Sequence, residues 1–242
     1  MISVCMTTYN GEKYLKEQLD SILIQIGDND EIIISDDGSS DSTLYIIDSY
    51  KDPRIKVYKN KQSKQNYKYS FYKITKNFEN AISKAKGDII FLADQDDIWL
   101  PEKIEKTLNE FKSKTLLVIH DCKVINEQKK IISESYYTQN NSKKGFFRNL
   151  IKSSYLGCCM AFKRELLDKA LPYPQNAVPH DIWLGLIAEW NKKVVFSNEK
   201  LILYRRHNSN QSTSGSKSNF SLKTKIEYRM ILAYFLFRRL VF

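Results

Sequence analysis

Short apolar runs of strand length alternate with longer amphipathic segments through the first half of this 242-residue chain, and that alternation restricts the fold more than any other feature. Runs at 2–6, 31–35, 55–58 and 88–93 read as strands. Amphipathic stretches reaching residue 26, at 43–50 and at 78–84 read as helices between them. Apolar runs without an alternating polar face suit strands covered on both sides, and strand–helix–strand punctuation builds a mostly parallel α/β sheet flanked by helices. Pro101 suits a first helical turn and predicts a helix opening there. In such sheets ligands collect at the carboxyl ends of the strands, so the residues just after each run are the ones to inspect.

Beyond residue 116 the pattern loosens. Residues 116–122 and 124–132 read as paired strands, 146–153 as a helix, and 158–162 as a strand. Residues 182–190 read as a helix starting just after His180 and Asp181. Strand pieces at 194–196 and 201–205 lead into a Ser/Asn/Gly-rich segment, 208–219, expected to be a flexible loop or lid. The polar, lysine-rich stretch 59–69 reads as a mobile connection. One α/β domain over 1–211 is expected, followed over 212–242 by a flexible segment and a basic amphipathic helix.

Apolar residues at 42% and charged residues at 27% argue against wholesale disorder and against a multi-span membrane protein. The formal charge of +10 attracts nucleic acid, anionic lipid or phosphorylated ligands without choosing among them. Cys5, Cys122, Cys158 and Cys159 have neither zinc-site spacing nor the density of a disulfide scaffold, so a reducing cytosol is the simplest setting. No secretion signal is expected at the start. The apolar run 230–237 is far short of the roughly 20 residues that span a bilayer.

Three strand ends carry acidic or hydroxyl-rich turns: Thr7-Thr8-Tyr9-Asn10-Gly11-Glu12, Asp36-Asp37-Gly38-Ser39-Ser40-Asp41, and Asp94-Gln95-Asp96-Asp97. Crowded carboxylates repel one another, and a hard divalent ion relieves that repulsion while sharing substrate phosphates. Taken singly, each turn also reads as a solvated turn or helix cap. Together, on one sheet edge of a basic chain, they suggest a nucleotide site with a metal. A polyanion such as nucleic acid would be repelled there without metal, so no nucleic-acid partner is expected.

These turns, with Gly87-Asp88 leading into the third and a later His180-Asp181, occur in an order and spacing that resemble glycosyltransferase family 2, the inverting GT-A fold with a Rossmann-like sheet. The resemblance runs from residue 2 to about 211. It implies a nucleotide-sugar-binding half over 1–115 and an acceptor-binding half over 116–211. Thr7, Thr8, Tyr9 and Glu12 would line the base and ribose pocket, with Asp36 or Asp37 reading the base. Asp94 and Asp96 would form the family's D-x-D motif around Mg²⁺ or Mn²⁺, and His207 would add a third metal or diphosphate contact. Arg205 or Arg206 would clamp the diphosphate, in a Tyr-Arg-Arg-His run similar to the family's Tyr-Arg-x-His.

Asp181 matches the catalytic-base position, while Asp121, Gly157, His180 and Trp183 would lie on the acceptor side. The stretch 180–184 is most similar to members described as rhamnosyltransferases of bacterial surface polysaccharides. The implied reaction moves a sugar from dTDP-rhamnose or a UDP-hexose to a growing, lipid-linked saccharide, in the cytoplasm or peripherally on the inner face of the membrane. A sugar nucleotidyltransferase would share the sheet and carboxylates but usually shows a Gly-rich basic loop after the first strand. A non-catalytic basic module for nucleic acid is the remaining alternative. The tail 222–242 alternates Lys and Arg with large apolar residues, and can lie on a membrane surface or pack on the domain.

Overall fold

The structure, a computed structural model, describes residues 1–60, 67, 69, 71–174, 178–207, 210 and 221–241. Strands β1 (Ile2–Thr8), β2 (Glu31–Asp36), β3 (Ile55–Lys59) and β4 (Ile89–Asp94) are parallel, in the spatial order β3-β2-β1-β4. Helices α1 (Leu15–Leu23), α2 (Thr43–Ser49) and α3 (Phe71–Lys84) make the crossovers. Val4 to Met6, Ile32 to Ile34 and Ile90 to Ala93 are completely buried, as the unbroken apolar runs require. The register sets Thr8 opposite Asp36 and Thr7 opposite Asp94, so pairing alone brings the three polar turns to one edge.

Helix α3 begins at Phe71, well before the expected 78. Its buried face, Tyr72, Thr75, Phe78 and Ile82, keeps helical spacing through a lysine-rich sequence that hides it. After β4 comes a short strand, β5 (Ile98–Trp99), and helix α4 (Lys103–Asn109). Pro101 therefore lies in a turn instead of opening the helix. Glu102 takes a left-handed φ of 65°, and Lys103 is buried with its ammonium donating to the Cys158 carbonyl at 2.9 Å.

The second half extends the same sheet with β6 (Leu117–Ile125), β7 (Ile131–Ser133), β8 (Met160–Lys163) and β9 (Val194–Arg205), completing the order β3-β2-β1-β4-β8-β6-β9-β5 with β7 on β6. Strand β8 runs antiparallel between β4 and β6, which restores β6 and its parallel neighbour β9 to the direction of β1–β4. Most strands therefore point the same way. The paired strands expected at 116–122 and 124–132 are instead one long strand and a small hairpin. The Asn126 side chain accepts from the amides of Gln128 and Lys130 and closes a turn before β7. The pieces at 194–196 and 201–205 form one strand, β9, whose register shifts against β6 around Asp121.

The helices of this half are α5 (Tyr136–Asn140), α6 (Phe146–Ile151), α7 (Leu167–Ala170), α8 (His180–Trp190) and α9 (Leu222–Val241). Helix α8 is capped at Pro179, so His180 and Asp181 lie within its first turn and not before it. It is apolar on nearly every side: Trp183, Leu184, Leu186, Ile187 and Ala188 are fully buried. No described helix is long and apolar enough to cross a membrane. The loop expected over 208–219 lies outside the described residues except for Asn210, and most of the stretch 59–69 lies outside them too.

Candidate active site

The first two turns are laced together by their own polar side chains. Thr8 is buried and its hydroxyl donates to Asp36 Oδ2 at 2.9 Å; Asp36 also accepts from the amides of Gly38 and Ser39 and from the Ser39 hydroxyl at 2.6 Å. Gly38 has a φ of 87°, which favours glycine. Asp36 is thus consumed in closing its turn. Asp37 beside it stays half-buried and accepts from Asn60 Nδ2 at 2.9 Å, with its carboxyl raised by burial. Of the two aspartates expected to read a base, Asp37 is the one presented. Glu12 accepts from the Ser42 amide at 2.9 Å, and Thr7 is half-buried at the strand end.

The exposed Tyr9 is held through its backbone. Its N–H donates to Gln95 Oε1 at 2.9 Å and its carbonyl accepts from Gln95 Nε2 at 3.0 Å. A Cβ at position 11 would lie 2.4 Å from Gln95 Oε1, so Gly11 makes room for this grip. Gln95 was visible as the middle of the acidic motif, but nothing in the sequence says which way its amide points.

The three carboxylates of that motif have three environments. Asp94 is half-buried, and burial together with Asp96 and Asp181 pushes its carboxyl up to about 7 against the pull of Lys103. Asp97 is completely buried. Its Oδ1 accepts from the Arg205 amide at 3.0 Å, its Oδ2 has no partner among the described residues, and burial holds it far above the ordinary range. Asp96 Oδ2 lies 2.7 Å from His207 Nε2 and 3.0 Å from Asn210 Nδ2.

A cation bonded to both Asp96 and His207 at about 2.1 Å and at right angles would hold those atoms about 3 Å apart, so the observed pair needs to open only slightly. These residues fit a divalent ion. Asp94, Asp97 and Cys158 also converge within 4.8 Å, but a thiol that burial pushes well above its usual range is a poor donor for a hard ion.

Arg205 does not face a diphosphate. It is 1% exposed; its Nε donates to the Asp96 carbonyl at 2.8 Å, an Nη donates to Glu17 at 2.7 Å, and its guanidinium lies 4.6 Å from the Tyr14 ring centre. The His207 ring packs on the same tyrosine at 4.9 Å. Arg205 therefore braces the loop that carries the metal ligands, which corrects its expected role as a clamp. Arg206 is half-buried and donates to the Tyr204 hydroxyl.

Across the edge, Asp181 is half-buried at the start of α8. Its carboxyl accepts from the Ile182 amide at 2.8 Å and from the Gly157 amide, and burial pushes it up to about 6. His180 stacks on Phe78 at 4.2 Å, and burial pushes it down to about 3, so the ring is neutral. Its Nε2 has no partner among the described residues and lies 2.8 Å from where a Cβ on Gly157 would sit. Gly157, His180 and Asp181 therefore form one cluster. Two other residues expected on the acceptor side do not join it. Trp183 is fully buried and donates to the Ala170 carbonyl at 2.9 Å, as a core residue. Asp121 is 3% exposed and spends its oxygens on Cys122, Ser135 and Tyr137.

The description "Glycosyl transferase family 2" matches residues 3–171. The dTDP-rhamnosyl transferase RfbG of Shigella flexneri is 28% identical over 240 residues, covering 91% of this chain and 77% of RfbG. The UDP-Glc:alpha-D-GlcNAc-diphosphoundecaprenol beta-1,3-glucosyltransferase WfgD of Escherichia coli is 23% identical over 218 residues, covering 90% of this chain and 81% of WfgD. Among solved structures, residues 1–349 of S. aureus TarS with UDP-GlcNAc match with a TM-score of 0.70 at 19% identity, over 98% of this chain and 66% of that one. Glucosyl-3-phosphoglycerate synthase from Mycobacterium tuberculosis, solved with Mn²⁺, UDP and glucosyl-3-phosphoglycerate, matches with a TM-score of 0.58 at 17% identity, over 99% of this chain and 79% of that one. The likeness to these structures fixes the fold as GT-A. Because the family match takes in well over half of the sequence, the chain belongs to glycosyl transferase family 2 and is a glycosyltransferase.

Proposed function

We propose that the chain is a metal-dependent, inverting transferase that moves a sugar from a nucleotide diphosphate donor to a growing, lipid-linked surface saccharide. The observation that carries this reading is the pairing of two sites on one sheet edge. Asp96 and His207 lie within reach of one cation, and Asp181, a carboxyl at about 6, lies close enough to raise Asp94. Residues 1–115 supply the donor half, with Tyr9 and Asp37 set against the nucleoside, and residues 116–211 supply the acceptor half.

Asp181 accepts the proton of the acceptor hydroxyl as that oxygen attacks the anomeric carbon from the face opposite the leaving diphosphate. With its carboxyl at about 6 and held by three backbone amides, Asp181 is ionised at neutral pH yet basic enough to take a proton. A Mg²⁺ or Mn²⁺ ion at Asp96 and His207 supplies charge neutralisation for the departing diphosphate. RfbG and WfgD, by their names, use dTDP-rhamnose and UDP-glucose, and WfgD acts on a lipid-diphosphate sugar. These support a dTDP-rhamnose or UDP-hexose donor and a lipid-linked acceptor at the inner face of the membrane.

The test is nucleotide release from a panel of donors with and without EDTA. Metal-dependent release of nucleoside diphosphate is expected, and Asp181→Asn should lower transfer by about 10²–10⁴. Release of pyrophosphate would reassign the chain to nucleotidyl transfer. No turnover together with binding of nucleic acid would make it a binding module.

A further inference from the structure

Helix α9 carries two apolar faces, one packed on the domain and one exposed among the described residues. Leu232 and Leu236 are buried against the domain, Tyr228 meets Phe71 at the start of α3 with ring centres 6.0 Å apart, and Arg239 donates to the carbonyls of Lys169, Leu171 and Pro172. The outward face carries Leu222, Ile226, Met230, Tyr234, Phe237 and Val241, at steps of three or four residues and each more than half exposed. At 20 residues the helix is about 30 Å long, so this stripe runs the length of a small domain. Such a stripe on a soluble surface calls for a partner.

We propose that this outward face of α9 is a docking surface for an anionic lipid bilayer, with the helix lying in the plane of the interface. Charge selects the occupant. The helix holds Lys223, Lys225, Arg229, Arg238 and Arg239 against the single acid Glu227, in a chain of net charge +10. By helical spacing Lys223 falls within the stripe, Arg229 and Arg238 along its two flanks and Glu227 beside Arg238, whereas Lys225 and Arg239 lie on the side of the buried Leu232 and Leu236. A second copy meeting this face would bring the same cations together with little acid to offset them, whereas anionic headgroups complement them. The described helices do not span a bilayer, so the contact is interfacial. Helix α6, which leans on α9, adds Phe147 at 74% exposure and Ile151 at 66%, with Lys152 beside them.

The position suits the reaction. Tyr228 packs at the beginning of α3, the helix whose Thr75 hydroxyl accepts from the His180 amide at 3.1 Å. A bilayer under α9 would present a lipid-linked acceptor beside the Asp181 edge. This deepens the transferase reading and rests on it for its purpose, but the docking itself is measured without turnover.

The whole chain is sedimented with vesicles of phosphatidylcholine alone or mixed with phosphatidylglycerol. Binding is expected to the anionic vesicles, to weaken with salt, and to fall at least about tenfold in the triple variant Ile226→Ser, Met230→Ser, Phe237→Ser, each substitution removing an exposed side chain that would enter the interface. Lys223→Glu with Arg238→Glu should lose at least about fivefold per cation on anionic vesicles, given roughly 1 kcal/mol for each basic residue near such a surface. Hydrogen exchange over 222–241 in the unaltered chain should slow when anionic vesicles are added, a readout that needs no variant. Equal binding to both vesicle types, undiminished binding by the triple variant, or a wild-type dimer that the triple variant makes monomeric would each overturn the proposal. Failure of the unaltered chain to bind anionic vesicles with diphosphate release intact sinks the docking surface alone, and binding without donor turnover sinks the transferase reading alone.

Discussion

At the Asp181 carboxyl, burial and three backbone amides act in opposite directions, and burial wins, lifting it from 3.8 to about 6. A base must be ionised to accept a proton, so the active fraction falls as pH drops through that value. Transfer rate should therefore be level above about 7 and decline about tenfold per pH unit below 6. A profile of kcat/KM against pH, taken at saturating Mn²⁺, checks it; a flat profile down to pH 5 would remove Asp181 as base. A second expectation concerns Gln95. Gln95→Leu deletes both hydrogen bonds to the Tyr9 backbone, worth about 1–2 kcal/mol together, and should raise donor KM by roughly 5–30-fold with kcat little changed. Gly11→Ala should act in the same direction by displacing the Gln95 amide. Both carboxylates of the D-x-D motif were legible from their crowding after an apolar run. The division of labour between Asp36 and Asp37 was not, since it depends on which carboxylate turns inward to Thr8 and Ser39.

Among the elements, the legible ones are those whose burial is uniform. Strands β1, β2 and β4 are buried on both faces, so their sequences are unbroken apolar runs and their ends could be placed within a residue or two. Strand β9 mixes buried and exposed positions and changes register midway, so its sequence breaks into fragments that look like separate strands. The short strand β5 was invisible because its two residues are defined by pairing with Leu203 and Ile202, more than 100 positions away. That pairing brings Arg205 behind Asp96 and explains why Arg205, expected as a diphosphate clamp, is buried instead. Arg205→Leu leaves Glu17 to Lys129 alone and removes a donor from the Asp96 carbonyl. Because Glu17 keeps that partner and is about a third exposed, the cost should fall below the roughly 3–5 kcal/mol seen when a buried pair is broken. Thermal melting should show Arg205→Leu several degrees below wild type and Arg206→Ala close to it. Equal melting temperatures would show that Arg205 is not a brace.

On the scale of the whole molecule, the Asp96–His207 contact ties together parts of the chain 111 residues apart, one residue following β4 and the other following β9. In between, β8 and β6 must be laid into the sheet in the right order for the two ends to meet, so a divalent ion and diphosphate that bridge Asp96 to His207 should stabilise the whole fold and not one half of it. The stabilisation from a ligand specific to the native state grows as RT ln(1 + [L]/Kd), about 2.7 kcal/mol at a hundredfold excess over Kd. At this chain length that is a rise of several degrees in Tm. Mn²⁺ and UDP or dTDP together should raise Tm by more than the sum of their separate effects, because each completes the other's binding site. His207→Ala and Asp96→Ala should each abolish that surplus. Each variant should also lower the Tm of the ligand-free protein somewhat, because both side chains are largely buried, Asp96 also meets Asn210 and His207 also packs on Tyr14. Additive shifts, or a surplus that survives His207→Ala, would mean that the ion sits elsewhere along the acidic turn and that His207 only packs on Tyr14.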